Sequence, residues 1–173
     1  KGRLQYEKEK GFINPQTVLR KIASTRKGSI EIEELLGSKV IDFPKPIDLL
    51  KDLILQTPRS EANSNESTSD IILDFFAGSA TTAHAVLDLN KQDGGNRRFI
   101  LVEMESKIAR DITAERVKRV AQGYINAKGE QVDGLGGGFR FCELGEPLFD
   151  ELGQIRESVT FADLARHVYF TET

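Results

Sequence analysis

Residues 71–87, IILDFFAGSATTAHAVL, contain the transition that decides the fold. Ile71–Phe76 is an apolar run interrupted only by Asp74, a pattern typical of a strand that is buried on both faces. The small residues 77–80 predict a turn, and the apolar residues of Thr81–Asn90 then recur at helical spacing. We therefore expect a strand, a tight turn and a helix in direct succession.

A second strand and helix follow. Asp93–Asn96 predicts a turn, and Phe99–Val102 predicts another buried strand that ends at Glu103. Thr113 is a candidate start of a helix that continues to about Tyr124. Strand, turn, helix, strand and helix in this order predict a parallel, right-handed unit of an open α/β sheet.

The flanking segments are less regular. A short helix is expected at Glu31–Leu36, and Pro46–Thr57 has the spacing of an amphipathic helix with a first-turn proline. The segment between Pro58 and Asp70 contains no large apolar side chain, so we expect a mobile loop at about 58–70. Phe139–Leu144 alternates like an antiparallel strand, and Thr160 is a candidate cap of a final helix.

Composition indicates a soluble globular protein. The 173 residues are 39% hydrophobic and 29% charged, and no apolar run is long enough to span a membrane. The single cysteine, Cys142, excludes an internal disulfide and a cysteine-cluster metal site. We therefore expect a cytoplasmic, reducing environment. Because the chain starts at Lys1 and its only methionine is Met104, we expect a piece of a longer chain or a processed one.

The net charge of −3 is unevenly distributed. Residues 1–30 carry eight Lys/Arg against two Glu, a net +6, whereas residues 143–173 carry two Arg against seven acids, a net −5. A basic segment of this kind can contact nucleic-acid phosphates, which position a protein without specifying sequence. A solvated surface loop explains the same pattern.

The candidate site lies at the ends of the predicted strands. In open α/β sheets, ligands bind beyond the carboxyl ends of the strands and at helix N-termini. The turn at 76–81 and the carboxylate of Glu103 meet there, and a carboxylate at a strand end accepts hydrogen bonds from ribose hydroxyls. Together these features indicate a nucleoside-bearing ligand. The turn alone is weak evidence, because it matches GxGxxG poorly and lacks the lysine of a P-loop.

The turn also carries a family resemblance. DFFAGSATTAHAV at 74–86 resembles the cofactor motif of amino-methylating DNA methyltransferases. Four further blocks give a narrower resemblance. They make the chain similar to the C-terminal part of the modification subunit of type III restriction–modification systems. These blocks are FPKP at 43–46 with the helix after it, NKQDGGNRRFILVE at 90–103, GFRFCELGEPLF at 138–149 and TFADLARHVYFTET at 160–173.

The resemblance implies an α/β fold, namely a partial Rossmann-like, S-adenosylmethionine-dependent methyltransferase sheet with an antiparallel element near its C-terminal side. Three regions are expected. Residues 1–38 would be the basic, loosely structured end of a DNA-recognition region, and residues 39–145 the cofactor-binding half with its mobile loop at about 58–70. Residues 146–173 would form a C-terminal helical extension.

The resemblance also implies S-adenosylmethionine as cofactor and assigns roles to individual residues. Phe43, Lys45 and Pro46 match the segment that lies against its methionine portion. Glu103 matches the ribose-binding acid, with Glu105 as the second choice. Seven residues match the turn that holds the amino-acid and adenosine parts: Asp74, Phe76, Ala77, Gly78, Ser79, Ala80 and Thr81.

Ordinary structural roles remain open for several candidates. The two phenylalanines could be core aromatics, Lys45 and Glu103 solvated charges, and Asp74 a structural acid that accepts backbone hydrogen bonds. His84 is better explained as a packed or solvated side chain than as a catalytic one. Ala80 departs from the family pattern, which has glycine there. Its Cβ is expected near the cofactor path, and a positive φ would strain it, so glycine is expected to favour cofactor binding.

One motif of the family is absent. Methylation of an adenine amine requires the base to be flipped out. The resemblance implies that an acid or amide followed by two prolines and an aromatic residue holds this base. None of the five prolines here is adjacent to another, so we expect no methyl transfer by the isolated chain. The resemblance implies duplex DNA, a restriction (helicase–nuclease) subunit and a second copy as partners.

Two other functions remain possible at this stage. The chain could be a degenerate or regulatory protein that keeps the methyltransferase fold and binds DNA or a partner without catalysis. It could also be an unrelated nucleotide-binding or dehydrogenase domain, although the poor GxGxxG match opposes this interpretation.

Overall fold

The structure, a computed structural model, describes residues 24–56 and 70–172, together with the backbone of 7–8 and 11–12. The predicted mobile loop at about 58–70, apart from Asp70, and most of the predicted basic region at 1–38 lie outside the described residues. The chain divides into two compact units, Lys1–Phe139 and Arg140–Thr173.

The elements of the first unit are mixed α and β. In chain order they are β1 Glu7–Lys8, β2 Gly11–Phe12, α1 Thr25–Leu36, α2 Ile47–Gln56, β3 Ile71–Asp74, α3 Thr81–Asp93, β4 Arg98–Leu101, α4 Ser106–Ile108, a π-helical segment Ala109–Ala114, α5 Glu115–Gln122, β5 Gly123–Ile125 and β6 Gln131–Asp133. The second unit contains α6 Phe161–Glu172 and an isolated antiparallel bridge between Phe149 and Ile155.

The predicted parallel unit is present. β3 and β4 pair in parallel, with Ile71 opposite Arg98 and Asp74 opposite Leu101, and α3 connects them. The pairing continues past Asp74, whose carbonyl accepts the N–H of Val102 at 2.9 Å. The carboxyl ends of both strands therefore lie at the same edge, where the candidate site was expected.

The two strands are not buried on both faces, and that prediction is wrong for the described residues. Phe99 and Leu101 pack against the core, but Ile71, Leu73 and Ile100 on the opposite face are 53%, 48% and 51% exposed. Side chains alternate between the faces of a strand, and helices cover only one face of this pair.

The core lies between the parallel pair and three helices. Its buried members come from α1, the turn before α3, α3 itself and α5: Leu35, Ala80, Ala83, Leu87, Val117, Val120 and Ala121. α1 is longer than predicted, because Ser24 caps its start by accepting the N–H of Lys27 and Gly37 ends it with a φ of 84°. Gly28 in α1 is required, since a Cβ there would overlap the carbonyl oxygen of Pro44.

Two boundaries differ from the sequence prediction. The helix expected from Thr113 begins at Ser106 and passes through the π-helical segment, so Thr113 is not a cap. Phe139–Leu144 forms no strand; the antiparallel pair that precedes it in the chain is β5–β6. An alternating pattern makes a strand only where a partner supplies hydrogen bonds, and no described strand lies beside 139–144.

The remaining helices follow their sequence signals. α2 lies within the predicted range, and α6 begins after Thr160, whose Oγ1 accepts the N–H of Asp163 at 3.3 Å. Over residues 24–56 and 70–172, no helix has the length and apolar character needed to cross a membrane.

Ala80 adopts the left-handed conformation, with φ 59° and ψ 33°, as its glycine-like position suggested. Its side chain, however, is fully buried in the core cluster. The expectation that its Cβ projects near the cofactor path is therefore wrong, whereas the expected backbone strain is present.

This strain can be measured against a matched position. Ala80→Gly and Ala83→Gly each remove one buried methyl from the same cluster, but only the first relieves a left-handed alanine. Glycine inside a helix costs about 1 kcal/mol, and release of a left-handed alanine gains about 1 kcal/mol or more. We therefore expect the Ala80→Gly protein to have a free energy of unfolding at least about 2 kcal/mol higher than the Ala83→Gly protein in urea denaturation. A difference of about 1 kcal/mol or less, which helix propensity alone explains, would show that the left-handed alanine is not strained.

Candidate functional site

The turn between β3 and α3 is closed by the carboxylate of Asp74. Its Oδ1 accepts the N–H of Phe76 at 3.1 Å, and its Oδ2 accepts the hydroxyl of Thr82 at 2.5 Å. These bonds tie the end of the strand to the first turn of the helix. Asp74 therefore has the structural role that its position inside an apolar strand required.

Glu103 lies against the same turn. Its Oε2 accepts the N–H of Gly78 at 2.9 Å, and its Oε1 accepts the N–H of Glu105 at 3.0 Å. The explanation of Glu103 as a solvated surface acid is thus excluded, and Glu103 rather than Glu105 contacts the turn with its side chain. The strand end and the turn meet as the sequence predicted.

The segment Phe43–Pro46 lies beside the start of α3. The hydroxyl of Thr81 donates to the carbonyl of Lys45 at 3.0 Å, and Pro46 is buried. The N–H of Ile47, the first residue of α2, donates to Oε2 of Glu31 at 2.9 Å. The Lys45 side chain is exposed, and among the described residues its amine contacts the carbonyl of Phe43, at 3.4 Å, so a solvated lysine remains open for it.

Phe43 and Phe76 are not core aromatics. Their side chains are 75% and 80% exposed, and Phe43 has a φ of 52°, which is unusual for a bulky residue. Met104, next to Glu103, is 82% exposed. Large apolar side chains that stay in solvent near polar turn atoms are available to cover a planar or apolar ligand group.

The side chains of Ser79, Ala80 and Thr81 point into the protein instead. All three are buried, and the two hydroxyls lie 3.1 Å from each other. These residues can reach a ligand only through their backbone. The structure thus brings together the predicted site residues, but divides them into exposed groups and buried groups that shape the turn.

Two residues at this turn were missed by the sequence analysis. The hydroxyl of Thr113 donates to the carbonyl of Gly78 at 2.6 Å. Arg116, which is fully buried, donates from Nη1 to the carbonyl of Ser79 at 3.1 Å and to the hydroxyls of Ser79 and Thr81. The sequence contained one signal for Arg116, which is its position directly before Val117 on the apolar side of α5. Arginine is rarely buried unless it is well bonded, so an arginine at such a position indicates a polar partner inside the protein.

His84 is packed and neutral. Burial, assisted by the positive charges of Arg116 and Lys51, lowers its pKa to about 3. Its Nδ1 lies 3.3 Å from Nη2 of Arg116, and because arginine only donates, the ring nitrogen is the acceptor. Of the two ordinary roles expected for His84, packed or solvated, this geometry agrees with the packed one. No cluster of potential metal ligands occurs in the described parts of the chain.

The fold is mixed α/β, and its candidate site is a strand–turn–helix segment that is hydrogen-bonded to an acidic strand end. The comparison with known proteins makes the class specific. A DNA methylase family profile matches residues 3–115, which is more than half of the chain. The chain belongs to the DNA methylase family.

Its relatives include restriction–modification proteins. The Mod subunit of the type III restriction–modification enzyme StyLTI of Salmonella typhimurium is 39% identical over 113 residues, 58% of this chain and 16% of that protein. The type II methyltransferase M.KpnI of Klebsiella pneumoniae is 34% identical over 122 residues, 63% of this chain and 27% of that protein. The EcoPI Mod subunit of Escherichia phage P1 is 39% identical over 85 residues, which are 49% of this chain and 12% of that protein. The chain thus matches between 12% and 27% of the length of these relatives.

The buried histidine predicts a pH-dependent stability. The pKa of His84 is about 3 in the folded chain and 6.5 without burial, so the unfolded state binds a proton first as the pH falls. Stability is therefore lost progressively from about pH 6.5 towards pH 3. Between pH 7 and 5, wild type should lose about 2 kcal/mol more than His84→Asn, which keeps an acceptor near Nδ1. The free energy of unfolding is measured with urea at each pH. The same change with pH in both proteins would contradict the low pKa of His84.

Proposed function

We propose that the chain binds S-adenosylmethionine as the cofactor-binding part of a site-specific DNA adenine methyltransferase of a type III restriction–modification system. The observation that carries the proposal is the hydrogen bond between the Gly78 N–H and the Glu103 carboxylate. It places an acidic strand end beside a glycine turn in a chain of the DNA methylase family. The similarity to the StyLTI and EcoPI Mod subunits supports the narrower assignment.

The residues present fit this cofactor. An ionised carboxylate offers about four acceptor positions, and Glu103 uses two of them for backbone N–H groups. The remaining capacity suits the two hydroxyls of a ribose. The exposed faces of Phe43 and Phe76 suit a purine ring and an aliphatic chain, and Gly78 leaves the backbone open to close approach.

We further propose that β3 and β4 belong to a larger Rossmann-like sheet. Their exposed face carries Ile71, Leu73 and Ile100, although parallel sheets are normally covered on both faces. A groove of about 520 Å³ runs between β3 and the apolar side of α2. In this proposal, residues 39–145 form the cofactor-binding half and residues 146–173 a helical extension.

The chain's own contribution to the reaction would be binding and orientation. S-adenosylmethionine supplies the activated methyl group when it is bound, and in-line displacement requires its sulfonium to be held in a fixed position. Glu103 would fix the ribose, and the backbone of residues 77–80 the polar atoms next to it. This sequence has no two adjacent prolines, so groups that orient the target amine must come from elsewhere. Under this proposal, the partners of the protein are duplex DNA, a restriction subunit and a second copy of the protein.

The lack of two adjacent prolines also supports a second candidate function, binding without catalysis. A protein that keeps the methyltransferase fold and binds DNA or a partner without catalysis also needs no two-proline motif. The strained alanine at position 80 is compatible with a degenerate turn. Cofactor binding separates the two candidates, because only the first requires affinity for S-adenosylmethionine.

The ribose contact gives the first test. We expect calorimetry to detect S-adenosylmethionine binding and Glu103→Gln to weaken it about tenfold or more, because charge-assisted hydrogen bonds are lost. Glu105→Gln is the matched control, since Glu105 contributes only its backbone N–H to the site, and its affinity should stay within about twofold of wild type. Equal losses in both variants would contradict the role of Glu103, and no binding by wild type would favour the second candidate.

Catalysis gives a separate test. We expect the purified 173-residue chain to transfer no labelled methyl from S-adenosylmethionine to duplex DNA above a no-protein control. The physical reason is the lack of groups that present the amine lone pair to the methyl. Measurable transfer would show that this chain contains a complete catalytic site.

A further inference from the structure

We propose that Thr113 and Arg116 are positioning residues for the cofactor site, which set the backbone conformation of the turn at 77–81. This inference rests on the proposed binding of S-adenosylmethionine at that turn. Neither residue is exposed enough to contact a ligand, because Arg116 is fully buried and Thr113 is 8% exposed. They would act through the turn alone.

The two side chains hold consecutive carbonyl groups of the turn. Thr113 Oγ1 donates to Gly78 O at 2.6 Å, and Arg116 Nη1 donates to Ser79 O at 3.1 Å. The donors are three residues apart on one helix and therefore face the same side. Fixing two successive carbonyls fixes the orientation of two successive peptide planes, which determines where the intervening N–H groups point.

This clamp of Thr113 and Arg116 accounts for the left-handed conformation of Ala80. The peptide between Ser79 and Ala80 is held at both ends, since its oxygen accepts from Arg116 and its N–H donates to Ala77 O at 2.7 Å. Ala80 follows with a φ of 59°, which an alanine adopts only when its surroundings impose it. Arg116 is thus one of the groups that impose it.

Arg116 also links the turn to the other part of the site. Its Nη1 donates to Thr81 Oγ1 at 3.0 Å, and Thr81 in turn donates to the carbonyl of Lys45 at 3.0 Å. One guanidinium therefore connects the turn with the segment 43–46. A shift of Arg116 would move both parts of the proposed cofactor site relative to each other.

A fully buried guanidinium is costly, which argues for a specific role. Burial lowers the pKa of Arg116 to about 10, with the charge of Glu31 acting in the opposite direction, so Arg116 stays charged at neutral pH. Its Nε has no hydrogen-bond partner among the described residues. Removing this arginine alone would leave the carbonyl of Ser79 without its donor, so a loss of stability by itself does not show a role at the site, and affinity must be measured as well.

The chain offers a matched control in Arg97. It is also buried, at 5% exposure, and it bonds Asp93 and Asn90 at the C-terminal end of α3. The turn lies at the opposite end of that helix, roughly 18 Å away along its axis. Arg97→Met therefore removes a comparable buried arginine without touching the turn.

The first experiment measures affinity for S-adenosylmethionine by calorimetry with folded protein. Arg116→Met and Thr113→Val should weaken binding, Arg116→Met by about tenfold or more, whereas Arg97→Met should stay within about twofold of wild type. Arg116→Lys keeps the charge and one donor, so it should recover part of the loss. Equal affinities of Arg116→Met and wild type, or equal losses in Arg116→Met and Arg97→Met, would overturn the proposal.

A second experiment does not depend on the cofactor. Glycine at position 80 no longer needs an imposed conformation, so Arg116→Met should lower the melting temperature at most about half as much in an Ala80→Gly background as in wild type. Additive effects on the melting temperature would refute the clamp even if wild type binds S-adenosylmethionine. Coupled effects without any binding by wild type would instead leave the clamp standing and refute the proposed function.

Discussion

The candidate site depends on hydrogen bonds that hold the backbone of the turn between β3 and α3 from several sides. Ala77 N–H donates to Val102 O at 3.0 Å, and Gly78 N–H donates to Glu103. The Gly78 carbonyl accepts from Thr113. Val102 and Glu103 directly follow β4, and Thr113 lies in the π-helical segment after it, so the turn has this shape only once the parallel pair and that helix are assembled. A short glycine turn alone has too much conformational freedom to define a ligand site.

The parallel pair is the second constraint. One face packs on the helices, and the other leaves Ile71, Leu73 and Ile100 half exposed among the described residues. Apolar exposure on a parallel sheet is unusual in a complete α/β layer structure. This exposure supports the proposal that β3 and β4 belong to a larger Rossmann-like sheet.

Local patterns predicted much of the architecture. A continuous apolar run followed by helical spacing, with the small residues 77–80 between them, predicted β3, the turn and α3, because these signals depend on neighbouring residues only. The same approach failed at Phe139–Leu144, where alternation is present but no described strand pairs with it. It also misplaced the start of the helix at Thr113, since a π-helical segment has no distinct periodic signal.

By itself, the sequence determined the chemical groups at the strand ends and their order along the chain. These groups are an acid in β3, the glycine turn after it and Glu103 beyond the end of β4. Only the tertiary structure decided which of them are free to meet a ligand. Phe43 and Phe76 remain in solvent, whereas Ser79 and Thr81 turn inward to Arg116. The reason is that a side chain's direction follows from contacts between distant segments. The hydrogen bonds that Arg116 makes to Ser79 and Thr81 each join residues more than thirty positions apart, and no local pattern encodes them.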